Sequence, residues 1–290
     1  MQLKALAKIN LGLDILHKRD DGYHEVRMVM QTIHMYDTIN MYLCDTPGIH
    51  LKANLPYIPT DERNLVYRTA RMLMDEFDIQ SGVHIDLRKL IPVSAGMAGG
   101  SSDAAATMVG INRLFKLGLS SQELMVRAKS IGADVPYCVL RGTALAEGIG
   151  EILTPLAPMP FCYVLAATPK IIVSTKTAYE NLELAKIKHH PDIDEIVAGI
   201  HHQDLHRMAK AMGNVFEEGL IPQFPVIGTL KEFMLHHGAL NAMMSGSGPT
   251  VFGIFEDNQV MQKAARKLKK KQLARKVFAT RIFNNKGGAG

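Results

Sequence analysis

The chain has 290 residues and a formal net charge of +5, with 47% hydrophobic and 21% charged residues. This balance excludes a disordered chain, and the length is enough for one large or two smaller domains. No apolar run approaches the ~20 residues that a membrane-spanning helix needs, so we expect no membrane segment.

The amino terminus and the cysteines predict a cytoplasmic protein. No continuous apolar block follows a basic start, as it would in a signal peptide. Cys44, Cys138 and Cys162 are odd in number and widely spaced, which favours reduced thiols over a disulfide framework or a zinc site.

The first predicted strand covers residues 3–15. Apolar residues take the odd positions of this stretch, while Lys8, Asn10 and Asp14 take even ones. Lys8 and Asn10 therefore share one face of the strand. A lysine on such a face is most often solvated, so this pattern alone is weak evidence for a site.

A turn at residues 20–22 precedes two predicted strands, over residues 23–35 and 38–44. A helix is predicted to begin at Thr60 and Asp61. Apolar and polar residues then alternate over residues 83–87, which predicts a further strand. This strand leads directly into a stretch rich in glycine.

Residues 91–106 connect that strand to a helix whose apolar residues repeat at helical spacing. Gly96, Gly99 and Gly100 precede the helix, and residues 101–103 are of types that cap a helix start. Amides at a helix start and the positive end of its dipole attract anions, and glycine puts no side chain in the way. The stretch therefore predicts a phosphate site, although it has neither a Walker A lysine nor G-x-G-x-x-G spacing.

Another helix is predicted from the capping run at residues 120–123, and the chain then reaches Asp134. Pro136 biases Val135 toward extended backbone, which places Asp134 at a helix end or a turn. A carboxylate there can face a cleft, but it can also simply cap a helix.

Prolines at positions 155, 158 and 160 mark the expected domain boundary, so we predict domains over residues 1–153 and 154–290. Beyond it, predicted strands alternate with predicted helices. The strands lie near residues 161–167, 240–244, 250–255 and 278–283, and the helices near residues 175–185, 192–212, 225–237 and 257–270.

Two further stretches of the second half are open to more than one interpretation. Residues 245–250 form a second glycine loop, which alone indicates a flexible turn but is also a candidate for closing over phosphates. Residues 263–276 are strongly basic and could bind nucleic acid. They lack interleaved aromatic residues, so the solvated face of a helix is the favoured interpretation.

Together these motifs resemble the GHMP kinase superfamily of small-molecule kinases. Residues 92–104 match its signature Pro-x-x-x-Gly-x-x-x-Gly-Ser-Ser-x-Ala, and residues 243–255 resemble its C-terminal glycine motif. Residues 7–11, 21–24 and 132–136 resemble the branch that acts on a cytidine-diphosphate-linked methylerythritol in the non-mevalonate isoprenoid pathway. One departure is Ser94-Ala95, where related enzymes often have glycines.

The resemblance implies an α+β fold built of two-layer α/β sandwiches, with two domains and the active site in the interdomain cleft. It implies ATP and Mg²⁺ as cofactors, and a small-molecule substrate with a cytidine diphosphate moiety. It also implies a monomer or homodimer with neither a nucleic-acid nor a membrane partner.

The resemblance also implies roles for individual residues. Lys8 and Asp134 would be catalytic, with Asp134 accepting the proton of the substrate hydroxyl. ATP would be bound by Pro92, Val93, Ser94, Ala95, Gly96, Met97, Ala98, Gly99, Gly100, Ser101 and Ser102. The substrate would be bound by Asn10, Tyr23, His24, Tyr179, Gly246 and Gly248. Tyr23 and Tyr179 would enclose the cytosine, His24 would read its edge, and Ser101 or Ser102 would lie near Mg²⁺.

Three alternatives stay open at this point. The substrate could be another small alcohol, of the homoserine or mevalonate type. The chain could also bind nucleotide without turning it over, although retention of Lys8 and Asp134 argues against that. An RNA binder of the same fold is the third alternative, and steeply salt-dependent RNA affinity would distinguish it.

Overall fold

The computed structural model describes residues 1–180 and 182–285. They pack as two units. The first unit contains Met1–Ala7, Met35–Val93 and Ala98–Leu140, and the second contains Lys8–His34, Ser94–Met97 and the described residues from Arg141 onward. No helix in these residues is long and apolar enough to cross a membrane.

Eleven strands and ten α-helices make up the described part of the chain. The strands are β1 (Gln2–Lys18), β2 (His24–Cys44), β3 (Ile49–Ala53), β4 (Gly82–Arg88), β5 (Thr143–Glu147), β6 (Ile152–Pro155), β7 (Tyr163–Thr168), β8 (Gly213–Asn214), β9 (Asn241–Met244), β10 (Val251–Phe255) and β11 (Lys276–Arg281). The helices are α1 (Leu65–Glu76), α2 (Gly99–Leu114), α3 (Ser121–Ala128), α4 (Val135–Leu140), α5 (Thr175–Glu180), α6 (Ile193–His201), α7 (Leu205–Ala211), α8 (Phe216–Gln223), α9 (Pro225–His236) and α10 (Asn258–Lys271).

In the first unit, β4 pairs antiparallel with β2 at residues 38–44 and parallel with β3. The helices α1 and α2 pack against each other. At Gly110 of α2, an added Cβ would lie 2.3 Å from the Sδ atom of Met41 in β2. A side chain at this position would displace Met41, so the glycine lets α2 pack closely against the sheet.

In the second unit, β11, β7, β10 and β9 form an antiparallel sheet against which α9 and α10 pack. The first half of β2 pairs with β5, and β5 pairs with β6. The short strand β8 runs parallel to β1 at Gly12 and Leu13. An added Cβ at Gly12 would lie 2.5 Å from Cδ1 of Ile196, so α6 lies directly on β1.

The predicted first strand is confirmed, but the environment of its polar face is not what the alternation indicated. Lys8 is 4% exposed, Asn10 0% and Asp14 7%. The interpretation of this face as solvated is therefore wrong. A period of two reports which residues share a face, and it does not report whether that face is covered.

Two expected boundaries in the first half are corrected. The predicted strands over residues 23–35 and 38–44 are one strand, β2, because Asp37 between them is buried and its carboxylate accepts the amide hydrogen of Ile91 at 2.8 Å. Helix α1 begins at Leu65 and not at Thr60, because the side chain of Asn64 caps it by accepting from the amide of Val66 at 2.9 Å.

Two helices also differ from expectation. Helix α4 was not predicted because it contains Pro136, but a proline in the first turn of a helix displaces no intrahelical hydrogen bond. The helix expected over residues 192–212 is divided into α6 and α7, because Gln203 has a φ of +56° and Asp204 caps α7 by accepting from the amide of Arg207 at 2.9 Å.

Candidate active site

Helix α2 begins within the predicted phosphate stretch, at Gly99. The residue before it, Ala98, has a left-handed conformation and makes no side-chain cap. The amide of Ser102 donates to the carbonyl of Ala98 at 2.8 Å, which is the first hydrogen bond between residues four apart in this helix. The amides of residues 99–101 lie before that bond, at the helix start. The predicted capping role of residues 101–103 is therefore wrong, and the open helix start is the geometry that an anion requires.

The two serines at this helix start differ in how much of their hydroxyl is available. Ser102 is 2% exposed, and its hydroxyl donates to the carbonyl of Leu6. Ser101 is only half-buried. Of the two residues considered for Mg²⁺, Ser101 is thus the better placed.

The two glycines that open α2 are not equivalent. An added Cβ at Gly99 would lie 3.0 Å from Cγ2 of Ile91 and 3.2 Å from Nζ of Lys89. At Gly100 the nearest atom would be Cδ1 of Leu65, at 3.6 Å, and the residue is exposed. A Cβ at Gly99 would therefore be crowded, whereas one at Gly100 would make only an ordinary van der Waals contact.

Earlier in the stretch, Pro92, Ala95 and Met97 are buried, while Val93 and Ser94 are exposed. Because the side chains of Pro92, Ala95 and Met97 are buried, only the backbone groups of these residues are available to contact a ligand. The amide of Lys8 donates to the carbonyl of Met97 at 3.2 Å, which ties β1 to this segment.

In the second unit, the segment meets the second glycine loop at Gly96. A Cβ added there would lie 1.9 Å from the carbonyl oxygen of Ser245, and the Ser245 hydroxyl donates to the Gly96 carbonyl at 2.9 Å. At Gly248, a Cβ would lie 2.4 Å from Sδ of Met244. The two glycine motifs, distant in sequence, therefore contact each other through their backbones.

Lys8 lies beside this contact. Its Nζ donates to Oδ1 of Asn10 at 2.7 Å, and a Cβ added to Gly246 would lie 3.4 Å from the same Nζ. The side chain of Asn10 in turn donates to Sδ of Met28 at 3.1 Å. The second unit thus brings together four of the predicted site residues: Lys8, Asn10, Gly96 and Gly246.

Two residues that the sequence analysis missed hold the second glycine loop in place. The side chain of Asn214 donates to the carbonyls of Met244 and Gly246, each at 2.8 Å. The carboxylate of Glu217 accepts from the amide of Met244 at 2.6 Å and from Nζ of Lys231 at 2.5 Å. Their only sequence signal is that both follow Gly213, between two stretches of helical spacing.

Two of the predicted cytosine residues, His24 and Tyr179, form a tilted ring pair. The rings of His24 and Tyr179 lie 4.8 Å apart, and Phe216 contacts the ring of Tyr179 edge-on at 5.0 Å. Tyr23 is 60% exposed. Burial and, secondarily, the charge of Lys18 lower the pKa of His24, which favours its neutral form.

Asp134 belongs to the first unit, directly before α4. Its backbone carbonyl accepts from the amide of Cys138 at 3.1 Å, and the residue is half-buried. The prediction that Asp134 lies at a turn next to a helix is confirmed. Whether its carboxylate acts on a substrate stays a prediction.

Comparison with known proteins identifies the family. Residues 64–142 match the model for the GHMP kinases N terminal domain, and residues 188–274 match the model for the GHMP kinases C terminal. A 4-diphosphocytidyl-2-C-methyl-D-erythritol kinase of Lachnospira eligens is 52% identical over 283 residues, which cover 98% of each chain. The chain belongs to the GHMP kinase family.

Other members support the same placement. A 4-diphosphocytidyl-2-C-methyl-D-erythritol kinase of Lachnoclostridium phytofermentans is 51% identical, over 99% of this chain and 98% of its own. A crystal structure of 4-(cytidine 5'-diphospho)-2C-methyl-D-erythritol kinase superposes with a TM-score of 0.85 at 30% identity, over 99% of this chain and 100% of its own. The predicted two-domain GHMP kinase fold, with its mixed α/β sheets, is confirmed. The domain boundary at residue 153 stays a prediction.

Within the GHMP signature, two residues other than glycine take left-handed backbone conformations. Ser94 has a φ of +51° and Ala98 a φ of +52°, while Gly96 between them has a φ of +74°. Each left-handed residue with a Cβ costs roughly 1 to 2 kcal/mol. The departure at Ser94 is therefore accommodated at the expense of local strain.

We predict that Ala98→Gly stabilises the protein by about 0.5 to 1 kcal/mol, because the strain it relieves exceeds the added entropy of glycine in the unfolded chain. Urea denaturation measures the change. Ala104→Gly, within α2, is the matched control and should destabilise by about 1 kcal/mol or more. Equal destabilisation by both substitutions would show that Ala98 is not strained.

Proposed function

We propose that this chain transfers the terminal phosphoryl group of ATP to a hydroxyl of 4-diphosphocytidyl-2-C-methyl-D-erythritol. The products are the 2-phosphate and ADP, within the non-mevalonate route to isoprenoid precursors. The observation that carries the proposal is sequence identity to kinases of this name. Two of them are 52% and 51% identical to this chain over nearly its full length. The fold alone would leave homoserine and mevalonate as candidates.

The ATP phosphates are bound at the start of α2. The amides of Gly99, Gly100 and Ser101 precede the intrahelical bonding pattern, and the helix dipole adds positive potential at the same end. The left-handed Ser94 and Gly96 direct further backbone amides of the preceding segment. Residues 92–102 therefore bind phosphate mainly through the backbone.

Lys8 supplies the cation that this glycine segment lacks. A compact ammonium group near Gly246 can neutralise charge on the transferring phosphoryl group or orient the acceptor oxygen. Asn10 restrains it through the 2.7 Å hydrogen bond, so the ammonium group has few alternative positions. Gly246 puts no side chain of its own beside it.

Asp134 is the base. Its carboxylate accepts the proton of the substrate hydroxyl as that oxygen forms a bond to the γ-phosphorus, while the bond to the β-phosphate oxygen breaks and ADP leaves. Magnesium fits a site built in this way, since it is commonly bound by substrate phosphates with few protein ligands. The described residues hold no cluster of three or more acidic, histidine or cysteine ligands, so Ser101 and the phosphates would bind it. When bound, the ion would neutralise charge on the phosphates.

The three cysteines bear on the location of the protein. Cys138 and Cys162 are buried and Cys44 is half-buried, and none of the three forms a disulfide. Burial raises the pKa of Cys162 to about 12, which makes it unreactive. Reduced cysteines accord with a cytoplasmic enzyme. A monomer or homodimer remains the expected assembly.

We predict that Asp134→Asn lowers the turnover number by about 10² to 10⁴-fold and leaves ATP affinity unchanged, because only the base is lost. ADP release with ATP and Mg²⁺ is measured against a panel containing the cytidylyl alcohol, homoserine and mevalonate. The wild-type enzyme should turn over the cytidylyl alcohol alone. Activity only with another alcohol would overturn the substrate assignment, and near wild-type turnover of the variant would remove Asp134 from the mechanism.

The phosphate role of the helix start predicts that Gly100→Val weakens ATP binding by at least about tenfold with the fold intact, because the new side chain fills space that the phosphates need. Calorimetric titration with ATP measures it. Gly99→Val is not equivalent, since it also disturbs Ile91 and Lys89 and should lower the melting temperature. Unchanged affinity in Gly100→Val would mean that this turn does not contact phosphate.

If the substrate carries a cytidine diphosphate, we predict that CMP competes with the alcohol substrate and not with ATP. We further predict that Tyr23→Ala raises the KM of the cytidylyl substrate by about tenfold or more with little change for ATP, because base stacking contributes about 1 to 3 kcal/mol. Tyr57, which is 63% exposed against 60% for Tyr23, gives the matched control Tyr57→Ala. Equal inhibition by UMP and CMP would refute the cytosine site.

A further inference from the structure

Three ionic side chains are buried together in the first unit. The Nζ atom of Lys89, directly after β4, donates to Oδ2 of Asp37 in β2 and to Oδ2 of Asp103 in α2, the latter at 2.5 Å. Lys89 is 9% exposed, Asp103 2% and Asp37 0%. The buried Lys89 therefore connects the end of β4 to β2 and to α2. We call Lys89, Asp37 and Asp103 the buried triad.

The buried triad holds the point where the chain enters the glycine stretch. Oδ1 of Asp37 accepts from the amide of Leu90, and from that of Ile91 at 2.8 Å. Asn54 pairs with the backbone of Lys89 itself, accepting from its amide at 2.8 Å and donating to its carbonyl at 3.3 Å. Residues 89–91 thus have no freedom to shift along the sheet.

The same triad holds the point where the chain leaves the stretch. Asp103 lies in the second turn of α2, four residues after Gly99. A Cβ on Gly99 would lie 3.2 Å from Nζ of Lys89, so the helix start rests directly on the lysine. The ammonium group is therefore the common support of the end of β4 and the first turn of α2.

Stability does not explain this arrangement. Three ionisable side chains are removed from water, and apolar residues of similar size often stabilise a protein as well or better. Oδ1 of Asp103 is buried without a hydrogen-bond partner among the described residues. Burial raises the pKa of Asp103 well above its usual range, even with Lys89 beside it. Buried ionic groups can fix the relative geometry of the elements that carry them, and here those elements are β2, the end of β4 and α2.

We propose that Lys89, held by Asp37 and Asp103, is a positioning residue for phosphoryl transfer. It keeps the amides of Gly99, Gly100 and Ser101 at a fixed height and angle relative to the end of β4. This inference rests on the proposed role of those amides in binding the ATP phosphates. A displacement of about 1 Å from the reactive geometry can lower a rate by roughly 10²-fold, so a support without any substrate contact can control turnover.

The test compares two substitutions at one position. Asp103→Leu removes the oxygen that accepts from Lys89, whereas Asp103→Asn keeps an oxygen in the same place. We expect Asp103→Leu to lower kcat by about 10- to 100-fold and to raise the KM of ATP severalfold, with the KM of the alcohol unchanged. Asp103→Asn should restore most of this loss. A partly unfolded enzyme would instead lower kcat and leave both KM values unchanged.

Equal kinetics of the folded Leu and Asn variants would overturn the proposal. Should Asp103→Leu not fold, Asp103→Ser removes the same contact without added bulk and takes its place. If neither folds where Asp103→Asn does, the contact is a requirement of folding and the positioning role is likewise rejected. ATP titration of the same variants gives the comparison without turnover. It therefore separates this proposal from the proposed function, which fails if wild-type enzyme releases no ADP with the cytidylyl alcohol.

Discussion

No side chain fits between the α-carbon of Gly96 and the carbonyl oxygen of Ser245. A Cβ on Gly96 would lie 1.9 Å from that oxygen, and its φ of +74° is itself one that side chains rarely adopt. Two motifs separated by about half of the chain meet at this point. The position of the second glycine loop, and therefore its distance from the Lys8 ammonium group, depends on this contact together with the hydrogen bonds of Asn214 and Glu217.

The polar side chains of β1 are also held in place, in their case by hydrogen bonds. Lys8, Asn10 and Asp14 are all buried, and burying a polar group without a partner is expensive. Each has a partner: Lys8 donates to Asn10, Asn10 donates to Met28, and Asp14 accepts from the amide of Ile15 and contacts Nδ1 of His190 at 2.7 Å. Side chains restrained in this way on a strand hold a more exact geometry than side chains on a loop.

The sequence was informative wherever local pattern and local structure coincide. Alternation located β1 and β4, and the glycine stretch located the start of α2 to within a few residues. It could not show that Lys89 pairs with Asp37, because the two are 52 residues apart and neither stands in a recognisable motif. The sequence analysis missed Asn214 for the same reason, because its partners are the backbone carbonyls of a loop about 30 residues further on.

The signature segment has a strained backbone, and the strain follows from the left-handed conformations that orient its amides. Positive φ values occur at Ser94, Gly96 and Ala98 and not at Ala95 or Met97, so left-handed residues alternate with others. In proteins generally, such alternation turns successive amides toward one side, which is the backbone arrangement of concave anion sites. Strain at residues that carry a Cβ persists only where the surrounding structure enforces it. Here the packing of Gly96 on Ser245 and the buried triad at Lys89 supply that enforcement, each within its own unit. Under the proposed function these amides are thus oriented before ATP binds, which is the condition under which electrostatic stabilisation requires no reorganisation during the reaction.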